Sequence, residues 1–253
     1  MRFQRKFAFN PKLTEALNGI RCSQGNLFHY THRQVANDIK KNRELWITRA
    51  DCFLDDMEIK HGVKILKRVS KCKLKADSLK DFQLLVEAIH ERLTNCYILS
   101  LSEDEHNTYL AEKYAKNETK VKFSPNFPMS LYGRAGHRNA NGVAYAIDSF
   151  ILHEGFVEYE PRTQVEFAVK IIDIFKNMID TEPHVVDAYQ FVGLLMQFVI
   201  FVKRKRFCKE REYRVSLVSA GKGVKVFEDN NSDGKAIIKV NFPEVGIEVL
   251  EVN

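Results

Sequence analysis

The feature that most constrains this fold is the segment 207–218, in which charged and apolar residues alternate. Read as a β-strand, the segment sends successive side chains to opposite faces. Tyr213, Val215 and Leu217 then share one apolar face, which suits a protein core. The opposite face carries the polar side chains Glu210, Glu212, Arg214 and Ser216. The alternation therefore predicts a strand that is buried on one side and presents two carboxylates and an arginine on the other.

The paired carboxylates of this strand have two interpretations. Like charges so close together raise each other's proton affinity unless a cation separates them. Such a pair can polarise a sugar hydroxyl or stabilise a developing positive charge. Structural ion-pair networks gather charged side chains in the same way, so a solvated strand face with a Glu–Arg pair is the alternative.

Two other predicted strands also combine an apolar face with a polar one. The strand 27–31 places His29 and Thr31 on the face opposite Phe28 and Tyr30, and the strand 96–102 places Ser100 and Ser102 opposite an apolar row. If the three polar faces line one cleft, the site combines an imidazole, hydroxyl groups and carboxylates. That set suits a polyhydroxylated ligand and an oxocarbenium-like sugar cation.

The chain as a whole reads as one α+β domain over 1–253. Helical periodicity covers 58–93, 165–179 and 187–202, and the strands do not alternate steadily with helices. Because linkers and repeats are absent from the sequence, we expect one domain rather than two. Within it we expect a lead-in at 1–24, a core over 27–218 and closing strands over 224–252. The apolar segment 187–202 contains Gln197 and is shorter than a membrane span, which favours a buried core helix.

The charge distribution fits an anionic partner without proving one. The formal net charge is +6, and the sequence pI is about 8.9. Basic residues cluster over Lys64–Lys80 and over Lys203–Arg206. Both clusters fit a solvated helix face or a helix C-terminus, where cations complement the dipole. A contact with nucleic-acid phosphates, or with an anion beside the 207–218 strand, is the alternative.

Several classes of protein are disfavoured by the motifs. The sequence contains no P-loop, no GxGxxG after a strand and no GxSxG. The five cysteines are scattered without CxxC spacing, so we expect reduced thiols in the cytoplasm and no zinc site. No apolar region follows the basic N-terminus, so no signal peptide is expected. A metal-dependent nuclease site at Asp55, Asp56 and Glu58 is a weaker possibility, and we expect no metal.

The order of these motifs resembles the mainly bacterial domain-of-unknown-function family 2971. The resemblance covers 27–218 through five short segments, which are 27–31, 45–48, 53–58, 99–104 and 201–214. The chain departs from the family where Asp55-Asp56 replace Asn-Asp. It also lacks a Trp that is common in the helix after the Ser strand, since Trp46 is its only tryptophan.

The same three strands resemble, more distantly, the ADP-ribosyltransferase superfamily, whose members take NAD in a cleft between two small sheets. The resemblance implies that His29, with Tyr30 and Thr31 beside it, contacts the nicotinamide ribose. It implies that Ser100, Ser102 and Arg214 support the NAD pocket. It also implies that Glu212 stabilises the oxocarbenium ion and that Glu210 orients the acceptor.

Two functions of different classes follow. The first is an NAD-consuming transferase or glycohydrolase of the ADP-ribosyltransferase type, acting on a protein or nucleic-acid acceptor as a bacterial toxin or anti-phage effector. The second is a non-catalytic nucleic-acid-binding or interaction module with a degenerate cleft, which would use Lys64–Lys80 and Lys203–Arg206.

Overall fold

The protein is an α+β protein, as the sequence predicts. The computed structural model describes residues 25–52, 56–124, 127, 150–181, 188–219, 229–230, 234–241 and 247–252. These residues form two compact units. The helical unit comprises the described residues of 56–92 and 157–205, and the sheet unit comprises those of 25–52, 93–156 and 206–252. The interpretation of 1–253 as one domain stays a prediction.

The elements follow the predicted order closely. The strands are β1 (Leu27–Thr31), β2 (Glu44–Arg49), β3 (Cys96–Ser102), β4 (Thr119–Phe123), β5 (Phe150–Phe156), β6 (Glu212–Ser219), β7 (Asp229–Asn230), β8 (Ala236–Asn241) and β9 (Ile247–Glu251). The helices are α1 (Arg33–Asn42), α2 (Asp56–Lys73), α3 (Ala76–Leu93), α4 (Thr108–Ala115), α5 (Pro161–Thr181) and α6 (Ala188–Phe201). Short 3₁₀ helices span Ala50–Cys52 and Lys205–Glu210. β1 and β3 therefore have the predicted bounds.

The strands of the sheet unit form one open antiparallel sheet. Its order is β7-β8-β2-β3-β1-β4-β9, and β6 pairs with β3 while β5 pairs with β6. The ADP-ribosyltransferase resemblance implied a cleft between two small sheets. The described strands instead all join through β3, although β1 and β2 each pair with only one end of it.

One face of the sheet is its main core, and its composition confirms the alternation predicted for β6. Tyr213, Val215 and Leu217 are each no more than 1% exposed and pack with Leu99 and Leu101 of β3. The opposite face packs on α4. There Phe28 and Tyr30 of β1 contact buried side chains of that helix, which are Leu110, Ala111 and Ala115.

The helical unit is held together by aromatic side chains from three helices. The ring centroids of Phe82 on α3, Phe175 on α5 and Phe191 on α6 lie 5.2 to 6.2 Å apart. Val63, Leu66 and Val69 are buried along α2, as the helical spacing predicts. Helical spacing in the sequence predicts that Leu84, Leu85, Ala88 and Ile89 share one buried face of α3, and this is partly wrong because Leu84 is 58% exposed. Ile89 is fully buried, together with Phe82 and Val86.

Helix α6 is a buried core helix, which confirms the interpretation of 187–202. Apolar side chains of its C-terminal half are each at most 3% exposed, and these are Leu194, Leu195, Met196, Phe198, Val199, Ile200 and Phe201. Within the described residues, no helix is both long enough and apolar enough to cross a membrane.

The buried amide of Gln164 connects three segments of the helical unit. Its Nε2 donates to the carbonyls of Glu158 and Lys203 at 2.6 and 2.7 Å. The ring Nε2 of His61 lies 2.9 Å from Gln164 Oε1, which can only accept, so this nitrogen is the donor. Both the helix α2 and the segment after α6 are thereby tied to α5.

The basic residues Lys203–Arg206, for which an anion-binding cluster was the alternative interpretation, do not form a single exposed group. Lys203 is 3% exposed, and its backbone N–H donates to Glu158. The Lys205 Nζ forms an ion pair with Glu160 at 3.1 Å. Arg206 lies over the Phe207 ring at 4.6 Å. These residues make separate local contacts, because the chain leaves the helical conformation after Phe201.

Some predictions fall outside the described residues. These are the lead-in at 1–24, Asp55 and the first residues of the predicted closing strands, 224–228. The side chains of Asp56 and Glu58 also lie outside the described set.

Two glycines of the helical unit give a matched test of helix packing. A Cβ on Gly62 of α2 would lie 2.8 Å from Val199 Cα, whereas a Cβ on Gly193 of α6 would meet nothing within 4 Å. We expect Gly193→Ala to stabilise the protein by about 0.5–1 kcal/mol through helix propensity. We expect Gly62→Ala to destabilise it by about 1–3 kcal/mol, because backbone must move. Chemical denaturation measures both, and equal stabilisation by the two variants would contradict the packing.

Candidate functional site

Strand β3 is the junction of the sheet unit. β6 pairs along its whole length, from Cys96 opposite Val218 to Ser102 opposite Glu212. The other edge of β3 is shared, since β2 pairs with Tyr97 and Ile98 while β1 pairs with Ser102. β1 and β2 therefore diverge beside the middle of β3, where Ser100 lies.

Ser100 brings together side chains from three strands. Its Oγ donates to Glu212 Oε1 on β6 at 2.5 Å, and its carbonyl oxygen lies 3.2 Å from Nδ1 of His29 on β1. Ser100 and His29 are both half-buried. The imidazole thus contacts the part of the β3 edge that lies between its pairings with β1 and β2. Ser100 therefore contacts both other motifs, His29 through its backbone carbonyl and Glu212 through its side chain.

The protonation of His29 follows from this contact. A carbonyl oxygen can only accept, so Nδ1 carries the proton of the bond and Nε2 is the acceptor of the neutral ring. Burial lowers the pKa of His29 below its ordinary value, although the bond to the Ser100 carbonyl opposes that shift. His29 is therefore neutral near pH 7 and offers an acceptor at Nε2.

Glu212 and Arg214 form a buried, two-point ion pair along β6. Arg214 Nε donates to Glu212 Oε1 at 2.7 Å, and an Arg214 terminal nitrogen donates to Oε2 at 3.0 Å. The two side chains are only 6% and 3% exposed. Their common face confirms the alternation predicted for this strand. Removing one partner would leave a buried charge uncompensated, which typically costs about 3–5 kcal/mol.

The sheet register corrects the expectation that all polar strand faces line one cleft. Phe28 is paired with Ser102, so Tyr30, Ser100 and Ser102 share the face of Glu212. His29 is paired with Val121 of the main core, so His29 and Thr31 lie on the opposite face. His29 reaches Ser100 only through the backbone carbonyl. The physical reason is that the pairing of two strands, which sequence alternation cannot supply, decides which faces coincide.

The prediction that Glu210 lies beside Glu212 on one strand face is wrong. Glu210 ends the 3₁₀ helix Lys205–Glu210, and Arg211 has a left-handed backbone with φ of 44°. This turn interrupts the alternation, so β6 begins only at Glu212. The Glu210 carboxylate instead accepts from Lys113 Nζ at 2.9 Å and from the Tyr114 hydroxyl at 3.3 Å.

Lys113 of α4 is partly exposed but lies beside three aromatic rings, a feature that sequence reasoning missed. Its Nζ lies 4.8 to 5.6 Å from the ring centroids of Tyr109, Tyr114 and Phe207. Burial lowers the pKa of Lys113, but hydrogen bonds with Tyr114, Glu210 and Tyr109 outweigh it and raise the pKa overall. The spacing of Tyr109 and Lys113 by one helical turn was the only local signal. The contact with Glu210 joins residues far apart in sequence.

Asn107 fixes the turn that precedes β6. As the N-cap of α4, its side-chain oxygen accepts from the Leu110 backbone N–H at 2.9 Å. Its amide nitrogen donates to the Lys209 carbonyl at 2.8 Å. One buried side chain therefore both starts α4 and holds the 3₁₀ helix that leads to Glu212.

Two of the side chains predicted to contact the cofactor, Tyr30 and Ser102, have hydrogen-bond partners within the protein. The Tyr30 hydroxyl donates to the Asp104 carbonyl at 2.6 Å and accepts from the Asn107 N–H at 3.0 Å. The Ser102 hydroxyl donates to the Arg211 carbonyl at 3.2 Å and accepts from the Asp104 N–H at 3.1 Å. These bonds tie the segment after β3 to β1 and to the turn before β6.

The polar face of β6 continues to Ser216, which is paired with Ile98 of β3 and His153 of β5. Among the described residues, Ser216 Oγ is the buried side-chain polar atom that has no hydrogen-bond partner. Burial lowers the pKa of His153 to about 4, so its ring is neutral near pH 7. The same face thus changes from charged groups near Glu212 to neutral groups near Ser216.

Two features of the described residues concern ligand binding. No group of three or more His, Cys, Asp or Glu side chains within them is arranged to hold a metal ion. An open depression of the sheet unit is lined by residues of α1 and of the turn before β4, which include Arg33, Asn37 and Glu118. None of the predicted site residues lines it.

Comparison with known proteins assigns this chain to no family. A scan against protein-family models, a search of curated proteins and a search of solved structures each gave no match. The resemblances to family 2971 and to the ADP-ribosyltransferases stay predictions, and the case for function depends on the site itself.

The role of Asn107 can be tested by separating its two bonds. Asn107→Ser keeps an N-cap oxygen but lacks the amide donor, so we expect it to lose about 1 kcal/mol of stability. Asn107→Ala loses both bonds and should lose about 2–3 kcal/mol. Chemical denaturation measures both variants. Wild-type stability in Asn107→Ala would show that the turn before Glu212 does not depend on this residue.

The lowered pKa of His153 predicts how the free energy of unfolding depends on pH. The unfolded His153 takes up a proton as the pH falls below 6.5, but the folded one does so only near 4. The free energy of unfolding should therefore fall between pH 6.5 and 4. Burial raises the pKa of Glu154, which acts in the opposite direction near the bottom of this window, so the comparison must be with a variant.

The variant for this test is His153→Gln, which removes the titrating group. We expect the loss of stability between pH 6.5 and 4 to be smaller in the variant by up to about 3 kcal/mol. Denaturation curves across this range measure the difference. Parallel pH profiles for the two proteins would contradict the assignment of His153 as a neutral group in the folded protein.

Proposed function

We propose that the sheet unit is an NAD-consuming enzyme of the ADP-ribosyltransferase type, with Glu212 as its catalytic carboxylate. The observation that carries this proposal is the chain of contacts from His29 to Ser100 to Glu212, centred where β1 and β2 diverge beside β3. A neutral imidazole, a serine and an oriented carboxylate are the groups that the resemblance requires on these three strands.

The chemistry is cleavage of the bond between the nicotinamide nitrogen and C1′ of its ribose. Nicotinamide leaves with the bonding electron pair, and positive charge develops on C1′ and the ring oxygen. In the proposal, Glu212 stabilises that charge and accepts a hydrogen bond from a ribose hydroxyl. The nucleophile, a hydroxyl of the acceptor or water, then bonds to C1′ and loses its proton.

The neighbours of Glu212 would orient the carboxylate rather than react. Arg214 grips both oxygens and Ser100 donates to one of them, so little reorganisation is needed as charge develops. His29 lies on the opposite face of the sheet, so in this scheme it acts only by holding the Ser100 carbonyl. Glu210 is held by Lys113, so a role in orienting the acceptor would require that ion pair to open.

The acceptor would be a macromolecule, and the resemblance points to the setting of a bacterial toxin or anti-phage effector. NAD is the only cofactor that the proposal uses, as a substrate, and no step requires a metal.

The test is nicotinamide release from NAD, with cell lysate supplied as acceptor. We expect release by the wild type and a loss of about 100- to 1000-fold in kcat for Glu212→Gln, because the stabilising charge is gone. Ser100→Ala keeps the ion pair but loses one hydrogen bond, so we expect about a tenfold loss with little change in melting temperature. Glu248→Gln is the matched control, since Glu248 is an exposed carboxylate paired with Lys122.

The folding of each variant must be checked, because Glu212→Gln leaves Arg214 without a charged partner. Cooperative thermal unfolding establishes that the variant is folded, and Ser100→Ala gives a second readout with the ion pair intact. No release from a folded wild type, or wild-type rates in both Glu212→Gln and Ser100→Ala, would overturn the proposal.

A further inference from the structure

One face of α2 carries a straight row of cations. Lys60, Lys64, Arg68 and Lys71, here called the basic stripe, are all exposed and are spaced by four, four and three residues. At 3.6 residues per turn they fall within an arc of about 80°, and they extend over about 16 Å of helix. The opposite side of α2 is buried through Val63, Leu66 and Val69.

Three of the four stripe residues, Lys64, Arg68 and Lys71, have no acidic residue within one helical turn in sequence. Asp56 lies four residues before Lys60, and no Asp or Glu follows from Ile59 to Ala76. In the structure, Lys64, Arg68 and Lys71 have no carboxylate within ion-pair distance among the described residues. Other surface cations do have such partners, as the pairs Arg33–Glu251, Lys122–Glu248 and Arg162–Glu166 show.

Helix stability does not account for the stripe. Lysines in the last turn of a helix complement its dipole, and this explains Lys71 and Lys73. Lys60 and Lys64 lie too far from the C-terminus of α2 for the dipole to stabilise them. Cations four residues apart also repel each other along the helix. The stripe therefore costs folding free energy, which a polyanionic partner would recover.

We propose that the basic stripe binds the phosphate backbone of a nucleic acid. The stripe presents one cation for about every 5.5 Å of helix. Each DNA strand presents one phosphate for about every 3.4 Å of the duplex axis, so several phosphates lie within reach of the stripe. A membrane surface fits less well. A helix that lies on lipid needs an exposed apolar face, whereas the apolar face of α2 is buried.

The structure also narrows the basic segment that the sequence indicated. Lys67 is half-buried, Lys73 points away from the stripe by helical spacing, and Lys80 belongs to α3. The stripe adds Lys60, which lies before that segment. This proposal does not depend on NAD chemistry. The basic stripe belongs to the helical unit, and none of its residues takes part in the contacts around Ser100 and Glu212.

The test is binding of the full-length protein to a fluorescent 24-base-pair DNA duplex and to an RNA duplex of the same length, across a series of salt concentrations. The stripe variant is Lys64→Gln/Arg68→Gln/Lys71→Gln. The matched control is Lys40→Gln/Lys41→Gln/Lys116→Gln, which removes three exposed cations of the sheet unit and changes the net charge equally. All six positions are exposed, and thermal unfolding checks that each variant folds.

We expect the wild type to bind at least one duplex and the stripe variant to bind it about tenfold or more weakly at 0.1 M salt. The plot of log K against log salt has a negative slope, and each lost phosphate contact reduces its magnitude by about 0.9. In the stripe variant the magnitude of the slope should therefore be smaller by about 2.7. The control variant should keep most of the wild-type affinity and most of the wild-type salt dependence. Nicotinamide release from NAD alone should be unchanged in the stripe variant, which separates this proposal from the enzymatic one.

Three results would overturn the proposal. The first is no binding of either duplex by the wild type. The second is an equal loss of affinity in the stripe variant and the control, which would mean that net charge alone acts. The third is tighter binding to anionic phosphatidylserine vesicles than to either duplex, which would identify a lipid surface as the partner.

Discussion

The buried ion pair between Glu212 and Arg214 is the interaction on which the candidate site depends. Burying two charges is expensive, and only good geometry with satisfied hydrogen bonds offsets the cost. Here the guanidinium contacts both carboxylate oxygens, and Ser100 adds a third bond from the neighbouring strand. The pair therefore fixes the side-chain arrangement along the contact of β3 with β6, and the same contacts orient the carboxylate that our proposal uses.

The start of β6 is held in place from outside the sheet. Asn107 caps α4 and donates to Lys209, while Lys113 of the same helix binds Glu210. Between these anchors and Glu212 lies Arg211, whose left-handed backbone ends the 3₁₀ turn. Polar groups that could have served a ligand, such as the hydroxyls of Tyr30 and Ser102, are engaged in this support. We therefore assign binding chemistry to fewer residues than the sequence indicated.

The sequence predicted what depends on local periodicity and missed what depends on pairing. The bounds of β1 and β3 and the buried character of α6 follow from alternation and from an apolar segment interrupted by Gln197. The alternation predicted over 207–218 is wrong before Glu212, because the left-handed backbone of Arg211 shifts the pattern of faces. The sequence does not indicate this conformation, since arginine rarely adopts it. The opposite facing of His29 and Ser100 depends on strand register, which no single strand encodes.

The central claim is that the diverging edge of β3 beside Ser100 is the binding site for the nicotinamide ribose of NAD. A crystal structure with a non-hydrolysable NAD analogue tests it most directly. The account predicts that the ribose lies within hydrogen-bond distance of Glu212, with the Glu212–Arg214 pair intact. An analogue bound away from β3, or an unoccupied site at saturating concentration, would contradict it.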